Sequence, residues 1–216
     1  MKLTYYYSPG SVALAPHIAL LMSAVDFTSI AVDFSQAQQK SIEYLAINPL
    51  ARVPALIVEE QGESPVVITE ASALLRYILT LDLADDCLLK DSVDLPALMQ
   101  ARVDSFNSYL SSTVHVTHAH MRRAERWVDS EQAMQEMARK VPANLIAQFA
   151  LIEDHWFVGP WLHGDVFTLS DIYLFVITRW LAGDGVDGSQ FKKVHQHYQK
   201  MMALEPVSEL LNGLYQ

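Results

Sequence analysis

The stretch YYYSPGSVALAPHIAL, residues 5–20, compresses a strand, a tight turn and a helix into one short segment. Residues 2–7 are rich in aromatics and alternate weakly, which favours a β-strand, and SPGS supplies a break after it. Apolar residues at helical spacing predict a helix over 12–24, with Pro16 close enough to its start to be tolerated. We therefore expect the bend to present a hydroxyl and unpaired backbone N–H groups at the start of a helix.

Composition excludes several classes of partner. The chain has 216 residues, is 51% hydrophobic, and carries a formal charge of −10 from 25 acidic and 15 basic residues. This balance argues against nucleic acid, which requires a clustered basic surface. The local cluster of Arg122, Arg123 and Arg126 is typical of a solvated helix face.

The same composition predicts a cytoplasmic protein without a disulfide framework. Pro9 and Gly10 interrupt the N-terminal segment before a signal-peptide apolar region can develop, and no run of 18 apolar residues exists. Cys87 is the only cysteine in the sequence. An internal disulfide, a multi-cysteine metal site and a dithiol redox motif are therefore excluded.

Patterning along the chain predicts two domains, over residues 1–82 and 90–216. In the first we expect a mixed four-stranded sheet with helices on both faces, in the order strand, helix, strand, helix, strand, strand, helix. The segments after the first helix are FTSIAVDF, QKSIEYLAI, NPLARVPALIV, VVIT and EASALLRYILTL. The acidic stretch 83–94 predicts a linker, and from about residue 92 the pattern is entirely helical, with no strand expected after residue 95.

This order of elements resembles the cytosolic glutathione transferases. Four motifs carry the resemblance along nearly the whole chain: YYSPGS, NPLARVPAL, ITEASALLRYI and FTLSDIYLF. SPGSVALAPHIAL and SYLSSTVH are most similar to the bacterial beta class, although Val12 stands where that class has a cysteine. The resemblance implies an α/β N-terminal thioredoxin-like domain plus an all-α C-terminal domain. It also implies glutathione as co-substrate, no metal, a small hydrophobic electrophile as the second substrate, a role in detoxification and a cytoplasmic homodimer.

The resemblance also implies a glutathione site. In the family the bond corresponding to Val53–Pro54 is cis and the backbone of Val53 pairs with glutathione as a short added strand. Without the family the simpler interpretation is a trans proline that starts an edge strand. The start of the helix after VVIT suits a carboxylate, and Glu70 suits an ammonium group, unless Glu70 merely favours the helix dipole. Further residues of this site are Arg52, Ala71, which replaces a common serine, and Ser112.

Catalysis requires a group that stabilises the glutathione thiolate, because a free thiol titrates near 8.5. Strand alternation turns Tyr6 away from Tyr5 and Tyr7, so the three tyrosines cannot all reach one site. Ser11 follows Pro-Gly as in serine-type relatives, and we favour it over Tyr7 because the helix dipole also acts there. The alternative is that Ser11 only caps the helix.

Histidines near residue 115 allow two interpretations. SSTVH resembles the beta-class pattern SSELH, which implies that His115 approaches the glutathione thiol. A zinc site is disfavoured because His120 lies about 140° around the helix from His115, which itself shares a face with His118. FTLSD predicts a capping box between Thr168 and Asp171, a structural feature.

Three alternatives to a glutathione transferase remain open at this point. One is a glutathione-dependent isomerase, which nothing local separates from a transferase. Another is a non-catalytic interaction module on the same fold. The third, a glutaredoxin-like reductase, needs a cysteine at the bend, and Cys87 lies far outside that motif.

Overall fold

The computed structural model describes residues 1–215, which divide into two compact units. The first unit contains Met1–Asp94 together with residues 203–215, and the second contains Leu95–Met202. The predicted linker 83–94 therefore groups with the first unit, where it ends in a short helix. No helix among residues 1–215 combines the length and hydropathy needed to cross a bilayer.

A mixed sheet of four strands forms the centre of the first unit, as predicted. The strands are β1 (Lys2–Tyr7), β2 (Thr28–Ala31), β3 (Ala55–Glu59) and β4 (Val66–Thr69). Their order across the sheet is β2-β1-β3-β4. β1 pairs in parallel with β2, and β3 pairs in antiparallel fashion with both β1 and β4.

Helices cover both faces of this sheet. The first unit holds α1 (Leu14–Ser23), α2 (Ile42–Leu45), α3 (Ala71–Ile78) and α4 (Lys90–Val93). On one face, the rings of Tyr5 and Tyr7 lie 5.1 and 5.0 Å from that of His17 in α1, centroid to centroid. On the other, Tyr6 lies 5.8 Å from Tyr44 of α2. The period-2 alternation of β1 therefore divides its tyrosines as the sequence predicted.

The second unit is built from long helices. They are α5 (Ala97–Tyr109), α6 (His115–Arg122), α7 (Glu131–Leu151), α8 (Leu169–Thr178) and α9 (Lys192–Met202), with π-helical turns at Leu110–Val114 and Ile152–Trp156. Every residue of α8 is buried, and its predicted capping box is present. Within residues 95–215 no strand forms, although one isolated bridge joins Trp161 and Gly164 across a tight turn.

The last helix, α10 (Glu205–Gly213), belongs to the first unit. This differs from the predicted helical domain 90–216. The physical reason is long-range packing: α10 lies against α1, and the buried side chain of Tyr215 shares a hydrogen bond of 3.1 Å with His17 Nδ1.

Candidate active site

The bend after β1 holds the first candidate hydroxyl. Ser11 is half-buried, and its Oγ donates a hydrogen bond of 2.6 Å to the carbonyl oxygen of Ser8. The same oxygen accepts a longer bond of 3.3 Å from the backbone N–H of Ala13. Ala13, and not Ser11, occupies the N-cap position of α1, so the capping alternative is wrong in its strict form. The Ser11 hydroxyl lies in the turn before the helix with its proton engaged by a backbone carbonyl.

Tyr7, the second candidate, is 5% exposed. Its ring is parallel to that of Tyr5 and lies 5.3 Å from the ring of Tyr215. Burial raises the pKa of Tyr7, so its hydroxyl stays protonated at neutral pH and would donate a hydrogen bond to a thiolate. Tyr5 is not available, because its hydroxyl donates a short hydrogen bond to the carbonyl of Ala13 and thereby fixes the bend.

His17 is the buried polar residue behind this bend, and the sequence analysis did not identify it. It is 1% exposed, and burial lowers its pKa to about 4. The imidazole is therefore neutral at physiological pH, and the aromatic rings around it, including that of Phe27, make it part of the core.

The segment leading into β3 carries the predicted peptide-binding residues. The Val53–Pro54 bond is cis, as the resemblance implied. The carbonyl oxygen of Arg52 accepts two hydrogen bonds of 2.7 Å, from Tyr44 Oη and Asn48 Nδ2. Asn48 is 1% exposed and its own Oδ1 accepts from the N–H of Leu50. Asn48 and Tyr44 thus hold this loop in place, and sequence reasoning missed both roles.

Glu70 lies between β4 and α3. Its side chain is exposed and makes no capping hydrogen bond, although the residue occupies the N-cap position. Its φ of 70° is in the left-handed region, which is uncommon for a residue with a Cβ and costs of order 1–3 kcal/mol. Ala71 begins the helix and is buried. The carboxylate of Glu70 thus does not cap α3, although the residue stands at the start of that helix, where backbone N–H groups lack intrahelical partners.

Sheet register brings these segments to one place. Ala55 of β3 is the direct partner of Tyr6 in β1 and of Thr69 in β4. Tyr7 follows Tyr6, Glu70 follows Thr69, and Pro54 precedes Ala55 on the antiparallel strand. These three residues consequently lie at the same end of the sheet. The bend, the Val53–Pro54 segment and the start of α3 therefore share one edge of the first unit.

Ser112 and His115 lie in the second unit. Ser112 is exposed in the π-helical turn, and its hydroxyl donates a hydrogen bond of 2.7 Å to the carbonyl oxygen of Ser108. His115 is half-buried, with its ring 5.0 Å from that of Trp180. Their role toward glutathione stays a prediction from the resemblance. Among residues 1–215, no three His, Cys, Asp or Glu side chains are arranged to hold a metal ion.

Comparison with known proteins shows the family to which this chain belongs. Residues 1–80 match the family described as glutathione S-transferase, N-terminal domain. Glutathione S-transferase GST-4.5 of Xanthomonas campestris is 30% identical over 214 residues, 99% of this chain and 98% of that protein. The chain belongs to the glutathione S-transferase family.

Solved structures of this family support the same fold. A glutathione transferase homologue from Sulfitobacter, crystallised with bound glutathione, has 34% identity and a TM-score of 0.90, covering 100% of this chain and 99% of its own. The bacterial beta-class glutathione S-transferase of Sphingomonas chungbukensis has 25% identity and a TM-score of 0.76, covering 98% and 99%. In this transferase the position after Ser11 holds Val12, whose side chain is 8% exposed and offers no thiol.

Proposed function

We propose that this glutathione S-transferase binds glutathione at the end of the sheet where β1, β3 and β4 meet, and that Ser11 stabilises the glutathione thiolate for attack on small apolar electrophiles. The register of Ala55 with Tyr6 and Thr69 is the observation that carries this proposal. It gathers a hydroxyl-bearing bend, a peptide-binding segment and a helix start, which match the three parts of glutathione.

Each part of glutathione has a chemically suitable partner in the proposed site. The backbone of Val53 would pair with the extended peptide as an added strand, next to Pro54 and the exposed side chain of Arg52. The N–H groups at the start of α3, from Ala71 onward, would bind the γ-glutamyl carboxylate. Glu70 would then bind the ammonium group of the same γ-glutamyl end by a charge-assisted hydrogen bond.

The hydrogen bond that Ser11 already makes limits its effect on the thiol. A bond to a thiolate is worth about 1.5–3 kcal/mol, whereas the neutral bond to Ser8 that it replaces is worth about 0.5–1.5 kcal/mol. The net gain of about 1–1.5 kcal/mol corresponds to a thiol pKa lowered by about one unit. The hydroxyl would leave Ser8 only for an anionic sulfur, because a neutral thiol is the weaker acceptor.

Substitution of Ser11 tests this assignment. We expect Ser11→Ala to raise the pKa of bound glutathione by about one unit, followed as thiolate absorbance in the ultraviolet against pH. Tyr7→Phe is the matched control, because it removes the competing hydroxyl from the strand. If Tyr7→Phe raises the pKa and Ser11→Ala does not, the thiolate partner is Tyr7 and our assignment is wrong.

Substitution of Glu70 tests the binding site separately from the chemistry. Glu70→Ala should weaken glutathione binding by about 1.5–3 kcal/mol, the range for a hydrogen bond to a charged group, measured by calorimetry. Glutamate and alanine both carry a Cβ, so the free-energy cost of the backbone conformation at φ 70° is the same in the wild type and in the variant. An unchanged affinity would remove Glu70 from the site.

Retention on immobilised glutathione together with turnover of a chloronitroaromatic tests the function as a whole. Retention without turnover would favour the non-catalytic interaction module. Family habit also supports a cytoplasmic homodimer as part of the proposal, and the molecular mass measured by light scattering tests the dimer.

A further inference from the structure

Tyr215 is buried in the first unit, against residues that lie behind the bend. It is 6% exposed, and its hydroxyl shares a hydrogen bond of 3.1 Å with His17 Nδ1. Its ring lies 5.3 Å from that of Tyr7 and 5.6 Å from that of His17. Burial raises the pKa of Tyr215, so its hydroxyl keeps its proton at neutral pH. Tyr215 therefore makes a directional contact in the core as well as filling space there.

The hydrogen bond to Tyr215 holds the imidazole of His17 in place. The other neighbours of this imidazole are aromatic rings, those of Tyr5, Tyr7 and Phe27. Within residues 1–215 the imidazole makes no other hydrogen bond. A buried polar group that loses its partner costs its full desolvation free energy. Without the Tyr215 hydroxyl, we therefore expect the imidazole to shift, and the first turn of α1 to shift with it.

Backbone hydrogen bonds connect His17 to Ser11 through a single residue, Ala13. The N–H of His17 donates a bond of 3.2 Å to the carbonyl oxygen of Ala13, whose own N–H donates 3.3 Å to Ser11 Oγ. Tyr5 Oη donates to the same carbonyl oxygen from β1. A hydroxyl that accepts a hydrogen bond is polarised and donates more strongly. The N–H of Ala13 therefore both places the Ser11 oxygen and strengthens its hydroxyl as a donor.

We propose that Tyr215 is a positioning residue for the thiolate-stabilising hydroxyl of Ser11. Through His17 it fixes the first turn of α1, and that turn keeps the N–H of Ala13 on the Ser11 oxygen. The inference rests on the proposed function, in which Ser11 donates to the glutathione thiolate. The bond from Ala13 is already long, at 3.3 Å, so a small displacement of the turn is enough to break it.

A double-mutant cycle on the pKa of bound glutathione tests this connection. We expect Tyr215→Phe, which keeps the ring, to raise that pKa by about half a unit, near the lower end of the couplings within one hydrogen-bond network. In the Ser11→Ala background the same substitution should leave the pKa unchanged, because the oxygen that Tyr215 positions is absent. The pKa is read from thiolate absorbance in the ultraviolet against pH.

Tyr77→Phe is the matched control. It also removes one phenolic hydroxyl from the first unit, but Tyr77 Oη donates to Met1 Sδ, 3.6 Å away. It should leave the pKa of bound glutathione at the wild-type value.

Calorimetry well below the pKa of bound glutathione separates positioning from a general disturbance of the site. Tyr215→Phe should bind glutathione there as tightly as the wild type, because a neutral thiol gains little from the hydroxyl. The proposed partners of the rest of glutathione lie on β3 and α3. A loss of affinity at this pH would overturn a role confined to positioning.

The remaining outcomes distinguish this role from the proposed function. An unchanged pKa in Tyr215→Phe would overturn the role and leave the proposed function in place. An equal rise with and without the Ser11 hydroxyl would also overturn it, and would point to Tyr7, whose ring Tyr215 contacts. A wild type that forms no thiolate with glutathione, or an unchanged pKa in Ser11→Ala, would overturn the proposed role of Ser11 and that of Tyr215 together.

Discussion

Protonation of the buried His17 should make the protein lose stability in mild acid. Its pKa is about 4 in the folded protein, against 6.5 for an exposed histidine. Because the folded-state pKa is lowered, the stabilisation is present above pH 6.5 and is lost as the pH falls toward 4. The full difference of about 2.5 units corresponds to about 3.4 kcal/mol, and about 2 kcal/mol of it is already lost at about pH 5.

A pair of variants isolates this effect from other titrating groups. Tyr215→Phe removes the hydrogen-bond partner but keeps the imidazole buried, and the double variant His17→Phe with Tyr215→Phe also removes the ionisation. We expect the free energy of unfolding, from urea titrations at pH 7.5 and 5.0, to fall by about 2 kcal/mol more in Tyr215→Phe than in the double variant. The pKa of His163 is also lowered by burial, but His163 is present in both proteins and its contribution cancels.

Two results would refute this reasoning. The first is an equal loss of stability between the two pH values in both variants. The second is a His17 resonance, followed by NMR in the folded wild type, that titrates near the ordinary histidine value. Either would mean that water or a charge reaches the imidazole, contrary to its 1% exposure.

Two further predictions concern buried polar residues. Asn48→Ala removes the Nδ2 donor to Arg52 and should lower the free energy of unfolding by about 1–3 kcal/mol in urea titrations. The same variant should bind glutathione more weakly in calorimetry. An unchanged affinity would show that the loop holds its shape without Asn48. Asp171→Asn removes the carboxylate that accepts from the N–H groups of Leu162 and Thr168. We expect it to cost about 1.5–3 kcal/mol by the same titration, and a smaller effect than for an exposed acid would contradict the buried capping role.

Much of the fold could be predicted because its signals are local. The aromatic alternation of residues 2–7, the Pro-Gly break and the capping residues of FTLSD each act within a few positions. The strands begin and end within a few residues of the predicted segments for this reason. The α10 helix could not be assigned in the same way, since only its contact with α1, nearly 200 positions earlier, places it in the first unit.

The candidate site could be predicted only in its residue types. The motif NPLARVPAL pointed to Val53 and Pro54, but the hydrogen bonds from Tyr44 and Asn48 that hold this loop depend on how the chain folds back on itself.

The three consecutive tyrosines show where local pattern ceases to decide chemistry. Alternation predicts that Tyr5 and Tyr7 share a face, but it does not say which hydroxyl is free. Tyr5 is committed to the carbonyl of Ala13, and Tyr7 is packed between His17 and the ring of Tyr215. The side chain of Tyr215, which is distant in sequence, therefore helps to set the environment of Tyr7 at the end of β1. Ring packing alone does not choose between the Tyr7 and Ser11 hydroxyls, since that of Ser11 already donates to the carbonyl of Ser8. The proposal that Ser11 holds the thiolate therefore rests on its place in the turn before α1, where the helix dipole also acts, and the pKa of bound glutathione in Ser11→Ala and Tyr7→Phe decides between the two hydroxyls.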